Sequence, residues 1–160
     1  VTGYFALDPR PLQPEDSQAT RVLLMGALGI TPYIDRALEV LELAERGNDP
    51  EHRALVIARD GTVAALALFG TIAGTARGAR VHMAVLAPGV DLEDVGMRLM
   101  DAVAGATRSS GADFLLAEMP DDPALGTTLA LLRQHGFRDE ARVPDFFRDG
   151  VALTFLRRAL

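Results

Sequence analysis

Apolar positions follow two different spacings along this chain. Tyr4-Phe5-Ala6-Leu7 is apolar and short, as an edge strand is, and Pro9, Pro11 and Pro14 break up the residues after it. Pro14-Glu15-Asp16-Ser17 reads as a helix start, because proline and acidic residues suit a first turn. Val22, Leu23, Gly26 and Ile30 give that helix an imperfect stripe. Thr31 as N-cap and Pro32 at the first position open a second helix. There Ile34, Leu38, Leu41 and Glu45 follow a period of about 3.6 residues, and Gly47-Asn48-Asp49-Pro50 ends it. A strand from Ala54 to Arg59 reaches Asp60-Gly61, a pair suited to the positive φ of a two-residue hairpin. The return strand, Thr62 to Phe69, is apolar almost throughout, as a strand covered on both faces is.

Residues 70–78, with three glycines, read as a loop, and Arg80 to Leu86 as the next strand. Asp91 to Arg108 is the clearest helix, with Leu92, Val95, Leu99, Met100 and Val103 in one stripe. A strand from Phe114 to Glu118 precedes a helix from Pro123 to Gln134, which His135-Gly136 stops. Arg138 to Val143 and Val151 to Leu156 then form a closing antiparallel pair around Asp149-Gly150. The order β-α-α-β-β-β-α-β-α-β-β implies an α/β domain, a mixed sheet with helices on its faces, spanning residues 1–160 as one unit.

Composition narrows the chemistry. The 160 residues hold no cysteine, which excludes disulfides, thiolate metal sites and a cysteine nucleophile and fits a cytoplasmic protein. The N-terminal residues lack the pattern of a signal peptide, and no apolar run is long enough to span a membrane. All 16 basic residues are arginine, so Schiff-base chemistry on lysine is excluded. They are scattered rather than striped and the net charge is −6, which argues against a nucleic-acid partner and favours a cationic one weakly. Three histidines without paired spacing make no metal site.

Three stretches carry a resemblance. Arg10-Pro11-Leu12-Gln13-Pro14-Glu15-Asp16 is similar to an Arg-Pro-x-x-x-x-Asp opening. Leu131-Leu132-Arg133-Gln134-His135-Gly136-Phe137 is similar to Phe-Tyr-x-x-x-Gly-Phe, and Val143 to Gly150 resembles Val-Pro-x-Tyr-Tyr-x-Asp-Gly. With the element order, they make the chain resemble the GCN5-related N-acetyltransferases (GNAT) over nearly its whole length. The resemblance implies the acyl-CoA N-acyltransferase fold, acetyl-CoA as co-substrate without a metal, and a small-molecule or peptide amine as acceptor. A homodimer is compatible with the apolar closing strands. The alternative is a GNAT-fold binding or regulatory module that has lost CoA chemistry.

In that family the acyl-CoA lies between two splayed strands, with its diphosphate on the amides of the following helix. Here this implies a cofactor site at Met83, Ala84 and Val85 and at Asp91, Leu92, Glu93, Asp94, Val95, Gly96 and Met97. The usual Arg/Gln and first Gly are replaced by Asp91 and Asp94. Three carboxylates oppose a diphosphate, although Asp-x-x-Asp is also a plain helix cap. Leu132 stands where the family's acid Tyr would be, and Leu125 where an Asn is frequent. Glu118, at its strand end, is the first choice of base, and His82, on the strand face of Ala84, the second. Tyr4, Tyr33, Phe146 and Phe147 are expected on the acceptor side, with both Phe alternatively core. His135 is expected to act on the helix dipole.

Overall fold

The computed structural model describes residues 7–160. Tyr4, Phe5 and Ala6, and with them most of the expected first strand, lie outside the described residues. Among the described residues, seven strands form one mixed sheet in the order β1-β2-β3-β4-β5-β7-β6. They are β1 Arg10–Pro11, β2 Arg53–Arg59, β3 Thr62–Thr71, β4 Gly78–Leu86, β5 Phe114–Pro120, β6 Arg138–Arg148 and β7 Val151–Ala159. The helices are α1 Ser17–Leu28, α2 Ile34–Glu45, α3 Met97–Ser109 and α4 Gly126–Gln134. From α1 onward the expected order of elements is the observed one, while β1 falls at Arg10–Pro11, where the prolines are expected to interrupt the chain.

Local chemistry explains several boundaries. Asp60 and Gly61 take φ of 50° and 75°, the geometry of the expected tight hairpin between β2 and β3. Gly136, at φ 91°, closes α4. Arg10 grips Asp16 through two bonds of 2.6 and 2.9 Å, and Asp16 also accepts the Gln13 N–H at 2.8 Å. That buried clasp ties β1 to the start of α1. Thr31 Oγ1 accepts the Tyr33 N–H at 3.2 Å, so the expected cap works one turn before α2 is fully formed.

The helix stripes differ from expectation. α1 buries Thr20, Leu23, Leu24 and Leu28, while Val22 and Ile30 are exposed. α2 buries Ala37, Val40, Leu41 and Ala44, because its alanines allow close approach where Ile34 and Leu38 only flank the core. The glycine-rich stretch is shorter than its composition suggests, since β3 runs to Thr71 and β4 begins at Gly78. The helix expected from Asp91 opens as a single wide π turn, Leu92–Gly96, before α3. The stripe Val95, Leu99, Met100 and Val103 is buried as expected.

The strand pairing positions the site. β4 and β5 run parallel and pair over only four positions, from Gly78↔Phe114 to Val81↔Ala117. Beyond them β4 continues to Leu86 and β5 to Pro120 without pairing to one another, so the two strands splay apart. β4 stays bonded to β3 on its other edge, and β5 to β7, so the gap lies in the middle of the sheet. α4 leans over it, with the Thr128 hydroxyl donating to the Ala84 carbonyl at 2.6 Å.

Candidate active site

Two cavities lie in series along the splayed part of β4. The larger, about 860 Å³, is lined by α1, by Val85, by Leu86 to Val90 and by Ala124, Thr127 and Thr128 near the start of α4. The smaller, about 380 Å³, is lined by Tyr33, Arg36, Arg80, His82, Met83, Glu118 and Phe147 among others. Of the expected cofactor residues, Val85 lines the larger cavity and Met83 the smaller. The larger cavity reaches the loop only as far as Val90, so Asp91 to Met97 lie beyond its wall. Val95 and Gly96 are buried. A Cβ on Gly96 would stand 2.9 Å from Leu131 Cδ1, so this glycine lets the turn pack against α4.

The acidic turn engages part of its polar groups internally. Asp91 Oδ1 accepts the Glu93 N–H at 2.9 Å, and the Asp91 carbonyl accepts the N–H of Val95 and of Gly96. Asp94 pairs with Arg98 at 3.0 Å. The N–H groups of Leu92 and Asp94, in the first turn, have no intrahelical acceptor and suit an anion at the positive end of the helix. The charge of Asp91 and Glu93 works against an anion at the same place.

In the smaller cavity Arg80 Nη2 stands 3.3 Å from Glu118 Oε1 across the two strands. Glu118 is thus held in an ion pair while it remains exposed. His82 Nε2 donates to the Glu51 carbonyl at 2.9 Å, and its ring stacks on His52 with centroids 5.1 Å apart. Burial pushes the His82 imidazole down to about 4, with the charges of Arg80 and Arg36 acting in the same direction. The ring is neutral at neutral pH.

Tyr33 stands at the cavity edge. Its phenol donates to Asp122 Oδ2 at 2.7 Å, and Arg148 reaches the same oxygen at 2.8 Å and the phenol at 3.2 Å. The Ala124 N–H, then Tyr33 and Arg148, hold Asp122 below the usual carboxylate range. Burial, and then Asp122, raise the Tyr33 phenol. Phe147 meets Tyr33 edge-on at 5.7 Å. Phe146 packs on Phe147 but is 56% exposed and lines neither cavity; neither Phe belongs to the core.

His135 lies away from both cavities. It is buried, bonded through Nε2 to Asp101 at 2.8 Å and through Nδ1 to Arg158 at 2.8 Å. Burial lowers its pKa, so it is a neutral link between α3, α4 and β7 rather than a charge on a helix dipole. Leu132 and Leu125 are buried, so neither position offers a polar group to a site.

Sequence reasoning missed Arg36, Arg80, Asp122 and Arg148. Strand alternation carried a signal for Arg80, two residues before His82 on the same face. Asp122 before Pro123 carried a capping signal. Nothing local announces Arg148, 115 residues from Tyr33.

The fold is that of known acetyltransferases. A protein from Desulfovibrio desulfuricans assigned to the GNAT acetyltransferases is 22% identical and superposes with a TM-score of 0.82, covering 96% of this chain and 99% of that one. A Salmonella typhimurium structure holding its cofactor acetyl-CoA is 20% identical, with a TM-score of 0.72 over 97% and 94% of the two chains. The aminoglycoside 6'-N-acetyltransferase from Enterococcus faecium is 13% identical, with a TM-score of 0.75 over 94% and 96%. No family model matches the chain, and no curated protein does. At these identities the similarity carries the fold, and the chain has the GNAT fold.

Proposed function

We propose that this protein transfers an acetyl or other short acyl group from acyl-CoA to an amine. The observation that carries the reading is the parallel β4–β5 pair that stops at Val81↔Ala117 while both strands run on. A sheet interrupted there exposes a backbone edge to a ligand, with both cavities lined in part by β4. The larger cavity takes the cofactor's pantetheine arm, and the smaller takes the acceptor.

In the smaller cavity the incoming ammonium meets the Glu118 carboxylate. One proton passes from nitrogen to Glu118, directly or through water, leaving the neutral amine as nucleophile. The new N–C bond forms as the C–S bond breaks, and the second proton shed by the acylated nitrogen passes, directly or through water, to the departing thiolate. A thiol pKa of about 8.5 makes that last transfer undemanding, so a buried Leu132 in place of an acid does not block it. His82, neutral and donating to Glu51, holds β4 against the Pro50–Glu51 segment and keeps its charge out of the cavity.

Thermal unfolding with and without acetyl-CoA tests the reading. At a ligand concentration of about 100 times Kd, binding adds roughly 2.7 kcal/mol. An absent shift at millimolar acetyl-CoA overturns it and leaves a fold without CoA chemistry.

A further inference from the structure

The charges at the smaller cavity come in pairs, Arg80 with Glu118 inside it and Arg36 with Glu39 at its rim. Arg36 and Arg80 line it, Glu118 is its one lining carboxylate, and His82 adds no charge. The chain as a whole has net charge −6. An ammonium set on Glu118 lies beside the Arg80 cation and is repelled by it unless the acceptor brings a negative group of its own. Arg80 is incompletely satisfied: its Nε is buried and has no hydrogen-bond partner. Together, Arg80 and Glu118 present a cation and an anion side by side, 3.3 Å apart. An α-amino acid presents the complementary pair, since its carboxylate and ammonium are attached to one carbon. Most of the remaining wall, with Ala37, Val40, Leu68, Met83, Met119 and Phe147, is apolar.

We propose that the acceptor is a free α-amino acid with an apolar side chain, its carboxylate on Arg80 and its ammonium on Glu118. The proposal rests on the acyltransferase reading above and names the substrate class of that site. A volume of about 380 Å³ suits such a molecule. The guanidinium fork of Arg80 matches a carboxylate in two-bond geometry. A carboxylate bound there loosens Glu118 from Arg80, so the proton acceptor is released beside the amine that needs it. A peptide N-terminus brings no free α-carboxylate and lacks half of this recognition.

Titration calorimetry of the whole protein tests the proposal without turnover. The probes are L-leucine, L-methionine and L-phenylalanine, each against its decarboxylated amine, with L-leucine methyl ester as a neutral-carboxyl control. The amino acids should bind at least about tenfold tighter than their amines and than the ester. In Arg80→Gln the amino acids should bind no tighter than their own amines. Amines binding as tightly as amino acids, a preference that survives in R80Q, or no binding by any probe overturns the proposal. The ester comparison uses the unaltered protein and so holds even where the variant folds poorly. Failure of the acyltransferase reading shows separately, as an absent acetyl-CoA melting shift.

Discussion

Asp94 and Arg98 pair across one helical turn, Oδ1 to Nε at 3.0 Å, and so one of the three carboxylates at the splay is already neutralised. Asp91 and Glu93 remain, with Asp91 engaged as a cap on the Glu93 N–H. Asparagine caps as well as aspartate but carries no charge. Asp91→Asn should therefore bind acetyl-CoA about three- to tenfold tighter at low salt, with the gain fading as ionic strength rises. Equal affinities at low and high salt would remove this turn from the diphosphate site.

Glu118→Gln tests the proton acceptor. The amide keeps the shape of the carboxylate but takes no proton, so turnover should fall by about 10² to 10⁴. The melting shift with acetyl-CoA should remain, because Glu118 lines only the smaller cavity. Wild-type turnover in the variant dismisses Glu118 as base.

Much of this architecture was legible because it is written in local chemistry. Asp60-Gly61, the stripe from Val95 to Val103 and Gly136 each specify a turn, a helix face or a stop from a few neighbouring residues. Arg10 and Asp16, six residues apart, also lie within local reach. The site was legible only in outline. The strand holding His82 and the strand end holding Glu118 follow from alternation and length, but their meeting through Arg80 depends on a four-position parallel register fixed by the whole sheet. The Tyr33–Asp122–Arg148 cluster draws on three distant elements. The buried face of α2 was misread because Ala37 and Ala44, which hydrophobicity ranks low, are buried, and that of α1 because its stripe counts Val22 and Ile30 in place of Leu24 and Leu28.

Tyr33→Phe removes the donor that Asp122 faces. Asp122 keeps the Ala124 N–H and Arg148, so the loss is partial, about 1–2 kcal/mol by urea unfolding at neutral pH. Two of the groups that hold Asp122 low remain, so its carboxyl should titrate higher but still below the usual range. An unchanged unfolding midpoint shows that the phenol contributes nothing to the latch.

Gly70 and Glu51 make the closest approach in the sheet's flank. A Cβ on Gly70 would stand 2.1 Å from the Glu51 carbonyl oxygen and 2.2 Å from its carbon. Both are backbone atoms and cannot swing aside as a side chain can. The adjacent Thr71 N–H bonds the Pro50 carbonyl at 2.9 Å, pinning the same segment. Gly70→Ala should cost about 3 kcal/mol, read as a lower midpoint in denaturant. A loss under about 1 kcal/mol means that the segment moves away freely.

His82 donates to that same Glu51 carbonyl, which makes acid stability a probe of the site. Its pKa falls from 6.5 to about 4 on folding, so between those values the unfolded chain binds the proton and the folded chain does not. The stabilisation is fully present above pH 6.5 and is lost as pH falls towards 4, by about 3 kcal/mol. Asp16, Asp122 and His135 are shifted down as well and also lose stability with acid, so the wild-type curve alone does not isolate His82. His82→Gln retains a donor for Glu51 but does not titrate. The fall in unfolding free energy from neutral pH to 4 should be smaller by about 3 kcal/mol in that variant. Parallel curves for the two proteins would show that His82 takes up its proton without unfolding the strand, and that charge can enter the cavity after all.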